Sequence, residues 1–354
     1  MYYVASDHLR RARIAPLMLF LADPILHKKS RMGQETVMEM LRRLRAGHNV
    51  LIFIEGERCY CGTTERIDDS AAHLAKMAGC PLITYRVENG YFTESRWATN
   101  TRRGNNLQAQ VVNIYTTEQL KKMSREEVIA AVRADLHFDS YAAQAQNPTA
   151  YKGKRLAEGL ETTLYMCPLC GQIGSLHSCY DRFYCDCGMQ LSYTPYGYLE
   201  AEQGSEAPFT RIDEWYAWQQ QALADYIAER SSDDSALFID DEQTLLICPD
   251  DKVRPRRVGK GRFSMYRDRL EFCYGFGLGK QGSKKLVFPL KDVQKISCHE
   301  QQLLSFSCRG TLYELTSSHH RSAVKYQHLF RLLQTSKDTT IPRRTEQTKN
   351  NPSE

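Results

Sequence analysis

An apolar segment that ends abruptly in charged residues constrains this sequence most. Residues 50–54 (Val-Leu-Ile-Phe-Ile) are apolar and mostly β-branched, which predicts a buried strand, and Glu55, Gly56, Glu57 and Arg58 follow directly. Open α/β sheets place ligands at the carboxyl ends of their strands. Gly56 permits a close backbone approach, and Arg58 offers donors that suit a phosphate. The segment predicts a phosphate-ester site; the alternative is a core strand followed by a charged turn with an incidental Glu–Arg pair.

Residues 53–58 (Phe-Ile-Glu-Gly-Glu-Arg) resemble the third sequence block of the glycerolipid acyltransferases, the PlsC or lysophosphatidic acid acyltransferase family, which is Phe-Pro-Glu-Gly-Thr-Arg. The Glu, the Gly and the Arg are shared. Two further blocks follow the family order: residues 24–30, with Lys29 at the basic position, and residues 79–83, with Pro81 before a short strand. Apolar spacing predicts helices over 34–45 and 70–78. The resemblance covers roughly residues 1–150 and implies a partial α/β acyltransferase domain.

The family's catalytic His-x-x-x-x-Asp block has no counterpart in this sequence. The resemblance implies a His that takes the proton from the acceptor hydroxyl and an Asp that orients it. The histidines of the first 80 residues are followed five positions later by other residues: His8 by Arg13, His27 by Met32, His48 by Phe53 and His73 by Ala78. Because residues 1–6 have the pattern of a strand from the middle of a sheet, we expect an N-terminal truncation through a late start codon. A genuine loss of the dyad is the alternative.

Two cysteine pairs predict a metal site. Cys167 and Cys170 form a Cys-x-x-Cys pair, and Cys185 and Cys187 form a Cys-x-Cys pair; each pair is followed by Gly. Four thiolates at this spacing suit tetrahedral Zn²⁺ in a small ribbon, with no open position for chemistry. The alternatives are a disulfide pair or unpaired core cysteines, and a chain without a visible secretory signal rarely carries disulfides. The sequence predicts a structural zinc ribbon.

Composition and charge indicate the kind of surface that this chain meets. It has 354 residues, of which 42% are hydrophobic, and a formal net charge of +5. The mildly basic balance favours anionic surfaces such as lipid headgroups or acyl carrier protein, and it is too modest to indicate nucleic acid. The sequence contains no run of eighteen or more apolar residues, so no transmembrane helix is predicted. Residues 14–26 form either a membrane-interface segment or a core helix, and we expect a cytoplasmic protein at the inner face of the membrane.

The sequence divides into five segments. Residues 1–150 form the acyltransferase-like portion, and 151–200 form a helix over 151–166 followed by the ribbon. Residues 201–235 hold an amphipathic helix at 212–228 and an acidic linker. Residues 236–335 contain short strands and one helix at 323–333, which resemble a pleckstrin-homology or GRAM-like module, and 336–354 form a disordered tail. The basic group near 254–262 predicts either an anionic-lipid contact or a solvated face.

The family resemblance implies acyl transfer in phospholipid biosynthesis. An acyl chain would pass from acyl-CoA or acyl carrier protein to the hydroxyl of a lysophosphatidic-acid-like acceptor. The resemblance assigns the acceptor phosphate to Arg58 and Lys29, the glycerol to Glu55, close approach to Gly56, and the acyl-side wall to Pro81. No catalytic residue is assigned, because the dyad is absent. The rival hypothesis is a non-catalytic lipid-phosphate-binding or scaffold protein; nucleic-acid binding by the ribbon ranks last, because Arg182 is its only basic side chain apart from His177.

Overall fold

The N-terminal part of the chain forms a small parallel sheet. The computed structural model describes residues 1–6, 15–27, 34–56, 58–65, 67, 70–99, 104, 107–202, 204–230, 235–249, 254–275 and 283–338. Strands β1 (Tyr2–Ser6), β2 (Ile25–His27) and β3 (Val50–Leu51) pair in the order β2-β1-β3, with helices α1 (Ala15–Ala22) and α2 (Gln34–Arg45) between them along the chain. β1 therefore lies in the middle of the sheet, as its sequence predicts.

The strand predicted for 50–54 is shorter than expected. Only Val50 and Leu51 pair with β1, and Phe53 is 70% exposed. Ile52 packs into the cluster beneath α2, whereas Ile54 packs into a second cluster with Val128 and Val132. The chain leaves the sheet between these two clusters. The apolar run therefore contributes side chains to two separate cores and does not form one continuous strand.

Helices and a two-stranded antiparallel ribbon complete the N-terminal segment. Its elements are α3 (Ser70–Ala78), β4 (Leu82–Glu88), α4 (Gly90–Thr93), β5 (Gln108–Tyr115), α5 (Thr117–Lys122), α6 (Arg125–Leu136) and α7 (Ser140–Gln146). β4 pairs with β5, and α6 packs against them. The predicted capping box is confirmed: the Ser124 hydroxyl accepts from the N–H of Glu127, and the Glu127 carboxylate accepts from the N–H of Ser124.

The helix predicted for 151–166 is wrong. The segment is irregular and contains only a 3₁₀ turn at Leu160–Thr162. Gly159 has φ 87°, and a Cβ there would lie 2.4 Å from the carbonyl oxygen of Trp97. Leu156, Leu160 and Leu164 are all buried. Their four-residue spacing imitates a helix, but the turn at Gly159 interrupts the segment, and the leucines reach the core without a helix.

A four-stranded antiparallel ribbon carries the cysteine pairs. Its strands are β6 (Leu176–Cys179), β7 (Arg182–Cys185), β8 (Gln190–Tyr193) and β9 (Leu199–Ala201), paired in chain order. The predicted amphipathic helix follows as α8 (Ile212–Glu229), with Trp215 and Leu223 buried. Residues 231–234 of the predicted acidic linker lie outside the described residues.

The C-terminal part is a seven-stranded antiparallel sheet closed by a helix. Its strands are β10 (Phe238–Cys248), β11 (Arg256–Met265), β12 (Arg269–Tyr274), β13 (Lys284–Pro289), β14 (Val293–His299), β15 (Leu303–Cys308) and β16 (Thr311–Thr316). The order is β13-β12-β11-β10-β16-β15-β14, so β10 joins a four-stranded half to a three-stranded half. Helix α9 (Val324–Asp338) packs against β14 and α8. The predicted run of strands followed by one helix is confirmed, and residues 339–354 of the predicted tail lie outside the described residues.

One buried cluster runs through three of these regions. It begins with Tyr60, Tyr91 and Trp97 of the N-terminal segment, continues through the cysteine ribbon and α8, and ends in the seven-stranded sheet and α9. The loop that follows Arg58 is therefore packed against the C-terminal half of the protein. Among the described helices, none has both the length and the apolar character needed to cross a bilayer.

Candidate functional sites

The four predicted cysteines converge on one point. Their Sγ atoms all lie within 4.8 Å of one another, with 3.8 Å between Cys167 and Cys187 and 3.8 Å between Cys170 and Cys185. A tetrahedral ion with Zn–S bonds of 2.3 Å requires Sγ atoms about 3.8 Å apart. The cluster therefore fits a tetrahedral metal ion that soft thiolate ligands favour. The cysteines form no disulfide in the structure.

The backbone around the cysteines is arranged to support thiolates. Cys167 accepts hydrogen bonds from the N–H groups of Leu169 and Cys170, and Cys170 accepts one from the N–H of Gln172. Burial raises the pKa of Cys167; at Cys170 burial acts in the same sense, but the Gln172 N–H and the neighbouring thiols together lower the pKa. The Ser175 hydroxyl lies 3.2 Å from Cys185 Sγ. These polar contacts orient the sulfur atoms, as expected for thiolates that could bind a metal.

Backbone geometry explains the glycine after each cysteine pair. Gly171 has φ 68° and Gly188 has φ 100°, a region that other L-residues rarely adopt. The turns return the chain to the ribbon and leave the N–H groups facing the sulfur atoms. All four ligand positions come from the protein, so an ion bound here would be structural and would leave no position for a substrate.

The predicted phosphate site is an open turn after β3. Gly56 has φ 72°, and Arg58 follows it with its side chain 53% exposed. Arg58 Nη1 lies 3.1 Å from Glu94 Oε1, and Glu94 is 48% exposed. No ion pair joins Glu55 to Arg58 within the described part of the chain. The guanidinium is thus accessible, but a carboxylate already occupies one of its edges.

Glu55 carries an unusual carboxyl group. The residue as a whole is exposed, but the protein atoms packed around its carboxyl and the charge of Glu65 raise its pKa to about 7. A hydrogen bond from the backbone N–H of Glu65 opposes this shift without overcoming it. At neutral pH the group is therefore divided between a carboxylate and a carboxylic acid that can donate a hydrogen bond.

One of the residues assigned to this site, Lys29, lies outside the described residues. Pro81 is exposed directly before β4, and no described contact brings it to Arg58. Glu55, Gly56 and Arg58 lie together because they are neighbours in the sequence. The structure brings no other residue that the resemblance assigned to this site close to them.

Three residues near the turn were not predicted as site residues. Glu94 pairs with the Arg58 side chain, and Arg96 donates to the Arg58 carbonyl over 2.8 Å. Glu65, next to Glu55, also lines a cavity of about 350 Å³ with Thr64, Ile67, Arg133 and His137. Nothing in the local sequence marks Glu94 or Glu65, because their partners lie on other segments of the chain.

Comparisons with known proteins give only distant structural similarities. No protein-family model matches the chain, and no curated protein matches it. The 1-acyl-sn-glycerophosphate (LPA) acyltransferase PlsC from Thermotoga maritima is similar with a TM-score of 0.31 and 13% identity over 42% of this chain. A chain of the 8S snRNP assembly intermediate is similar with a TM-score of 0.20 and 15% identity over 33% of this chain and 90% of its own length. This chain spans 57% of the length of the acyltransferase, and neither similarity is close enough to carry an argument.

Proposed function

We propose that the turn after β3 binds the phosphate of a lysophospholipid through Arg58. The observation that carries the proposal is the half-exposed Arg58 guanidinium in the loop that follows a parallel strand, seven residues after the last paired residue Leu51. A guanidinium matches two phosphate oxygens at once, and Gly56, with φ 72°, is exposed two residues before it. Glu55, as a partly protonated acid, can hydrogen-bond to the glycerol next to that phosphate.

The reaction that we propose for the whole protein is acyl transfer to this acceptor. The acceptor hydroxyl attacks the thioester of acyl-CoA or acyl carrier protein, the new C–O bond forms, and the C–S bond breaks. The hydroxyl proton passes to a general base, and the thiol leaves. No residue of this sequence has the His-x-x-x-x-Asp spacing of the family that it resembles. The same observation favours a second candidate, a lipid-phosphate-binding protein without turnover.

Binding and turnover test the two parts separately. Glycerol 3-phosphate titrated into the protein should bind, and Arg58→Ala should weaken this binding by at least tenfold, as expected for a lost charge-assisted phosphate contact. Arg182→Ala is the matched control, because Arg182 is also an exposed arginine paired with a glutamate, Glu202. Equal binding by the wild type and Arg58→Ala would overturn the site. Release of coenzyme A in the presence of lysophosphatidic acid would establish the transferase, and its absence would favour the binding protein.

We also propose that the C-terminal sheet is pleckstrin-homology or GRAM-like and rests on an anionic membrane surface. Support comes from its four-stranded and three-stranded halves and the closing helix α9. Of the predicted basic group, Lys260 and Arg262 are in ion pairs with Glu242 and Asp241, whereas Arg256 and Arg257 are exposed. The protein would then be cytoplasmic and peripheral. Co-sedimentation with phosphatidylglycerol vesicles, lost when Arg256 and Arg257 are both replaced by Glu, tests this assignment; binding that neither replacement changes would contradict it.

A further inference from the structure

A buried arginine connects the Arg58 turn to the C-terminal sheet. Arg96 is only 4% exposed. Its Nη1 donates to the carbonyl oxygen of Arg58 over 2.8 Å, and its Nη2 donates to the carbonyl oxygen of Cys298 in β14. The same guanidinium therefore holds the backbone of the candidate phosphate-binding residue and the backbone of a strand from the other half of the protein.

Tyr60 lies beneath this guanidinium and extends the contact. The Arg96 guanidinium carbon is 3.9 Å from the centre of the Tyr60 ring, within the range of a cation–π interaction. The Tyr60 ring also stacks on Tyr216 of α8, with 5.8 Å between ring centres and 11° between ring planes. Tyr60, two residues after Arg58, therefore contacts both the Arg96 guanidinium and helix α8.

A second residue from the C-terminal sheet hydrogen-bonds to the backbone next to Arg96. Gln301, in the turn between β14 and β15, donates through Nε2 to the carbonyl oxygens of Trp97 and Ala98. The end of β14 and this turn therefore hold residues 96–98 from two sides. Arg96 cannot shift away from Arg58 without disturbing these contacts.

We propose that Arg96 is a positioning residue, through which the C-terminal sheet fixes the Arg58 turn in the conformation that presents its guanidinium to a phosphate. This inference rests on the proposed function. An exposed arginine on an unrestrained turn loses conformational freedom when it binds an anion, and a turn held in advance avoids part of that loss. Arg96 acts on the backbone of Arg58 and touches no ligand, so the sheet supports binding from a distance.

The test compares Arg96→Met and Arg96→Lys with Arg86→Met. Arg86 is the control, because it is likewise an arginine that donates to two backbone carbonyls, those of Asp135 and His137, although its side chain is 24% exposed. Two quantities are measured: the dissociation constant for glycerol 3-phosphate and the amide exchange rate of residues 58–62. We expect Arg96→Met to weaken binding about tenfold, as for one lost charge-assisted hydrogen bond, and to accelerate exchange. Arg96→Lys, which can keep one carbonyl contact, should be intermediate, and Arg86→Met should change neither quantity.

The two readouts separate this inference from the proposed function. If the wild type does not bind glycerol 3-phosphate, the proposed function fails, and the amide exchange of residues 58–62 still decides whether Arg96 restrains the turn. If Arg58→Ala loses binding but Arg96→Met binds and exchanges like the wild type, the positioning role is overturned and the site stands. If Arg96→Met does not fold, Gln301→Ala replaces it, with a smaller change expected in the same direction; exchange equal to that of the wild type would again overturn the inference.

Discussion

The Nε2 atom of His328 lies 2.9 Å from the hydroxyl of Tyr216, which joins helix α9 to helix α8 inside the core. The other ring nitrogen, Nδ1, lies 3.0 Å from the hydroxyl of Tyr165, two residues before the first metal-site cysteine. A neutral imidazole donates from one nitrogen and accepts at the other, so both hydroxyls are satisfied. The cysteine ribbon, α8 and the C-terminal helix therefore share one buried histidine.

The first prediction concerns the pH dependence of stability at His328. Burial lowers the pKa of His328 from 6.5 to about 3, with a smaller contribution from Arg331. Because the folded pKa is the lower one, the stabilisation is complete above pH 6.5 and is lost as the pH falls toward 3. Between pH 6.5 and 5 the wild type should lose about 2 kcal/mol more unfolding free energy than His328→Gln, which keeps a donor and an acceptor but does not titrate. Urea denaturation at each pH measures this difference, and parallel pH profiles would contradict it.

The second prediction concerns metal removal. Trp215 Nε1 donates to the carbonyl oxygen of Met166 over 2.9 Å, next to Cys167, so loss of the ion should disturb a buried tryptophan. We expect one Zn²⁺ per chain, and a chelator should shift the tryptophan emission and lower Tm by at least about 10 °C, because structural zinc contributes directly to folding.

A matched pair of serine variants controls this experiment. Cys170 belongs to the cluster of four cysteines, and Cys179 is an exposed cysteine of the same ribbon that lies outside this cluster. Cys170→Ser should lose the metal, and Cys179→Ser should retain it. Equal metal content in the two variants would refute the assigned ligand set.

Local sequence predicted those parts of the structure that neighbouring residues determine. The capping box at Ser124 and Glu127 involves groups three positions apart, and the two cysteine pairs carry their own turns. The wrong helix prediction at 151–166 also came from local sequence. A four-residue spacing of leucines predicts a helix only when the residues between them can adopt helical backbone angles. Gly159 interrupts the helix with φ 87°, and the nearby carbonyl of Trp97, which lies on a distant segment, leaves no room for a side chain there.

The features that organise the candidate phosphate site could not be predicted in this way. Glu94 pairs with a residue 36 positions earlier, and Arg96 contacts a carbonyl 202 positions later. A charged residue in a sequence does not reveal whether it will be buried or which carbonyl it will face. The pattern indicated an arginine after a strand. Only the fold shows that Arg96 contacts the Arg58 backbone and that Glu94 pairs with the Arg58 side chain.

The third prediction concerns a buried charge cluster that fixes helix α9 to strand β10. The Asp240 carboxylate lies 2.8 Å from Lys325 Nζ and 2.6 Å from the Tyr326 hydroxyl, and it also pairs with Arg321. Replacing Asp240 by Asn leaves a buried lysine without its counter-charge, so we expect a loss of about 3 kcal/mol in unfolding free energy.

The adjacent residue provides the control for this variant. Asp241 pairs with Arg262 at 2.6 Å, but both side chains are exposed. Asp241→Asn should therefore cost about 0.5 kcal/mol or less. Denaturant titration of both variants measures the contrast. Similar losses from the two substitutions would show that burial does not govern the Asp240 cluster.

The fourth prediction concerns the carboxylate that competes for Arg58. Glu94 Oε1 lies 3.1 Å from the Arg58 guanidinium. Glu94→Gln removes a negative charge next to the proposed phosphate position, and we expect glycerol 3-phosphate to bind about threefold more tightly, the scale of an exposed ion pair. Glu202→Gln, which frees Arg182 in the ribbon, should leave binding unchanged. Weaker binding by Glu94→Gln would mean that Glu94 supports Arg58 instead of competing with the ligand.

The last prediction concerns the pH dependence of phosphate binding at Glu55. The protein atoms packed around the carboxyl, and then the charge of Glu65, raise the pKa of Glu55 to about 7, so its negative charge disappears as the pH falls from 8 to 6. Loss of a nearby negative charge favours an anionic ligand, and wild-type affinity should rise relative to Glu55→Gln by about threefold over this range. Glycerol 3-phosphate also ionises over this pH range, but this affects its affinity for both proteins equally and cancels in the ratio of the two affinities. Isothermal titration at pH 6, 7 and 8 measures the ratio; a constant value would place the Glu55 carboxyl outside the influence of the bound phosphate.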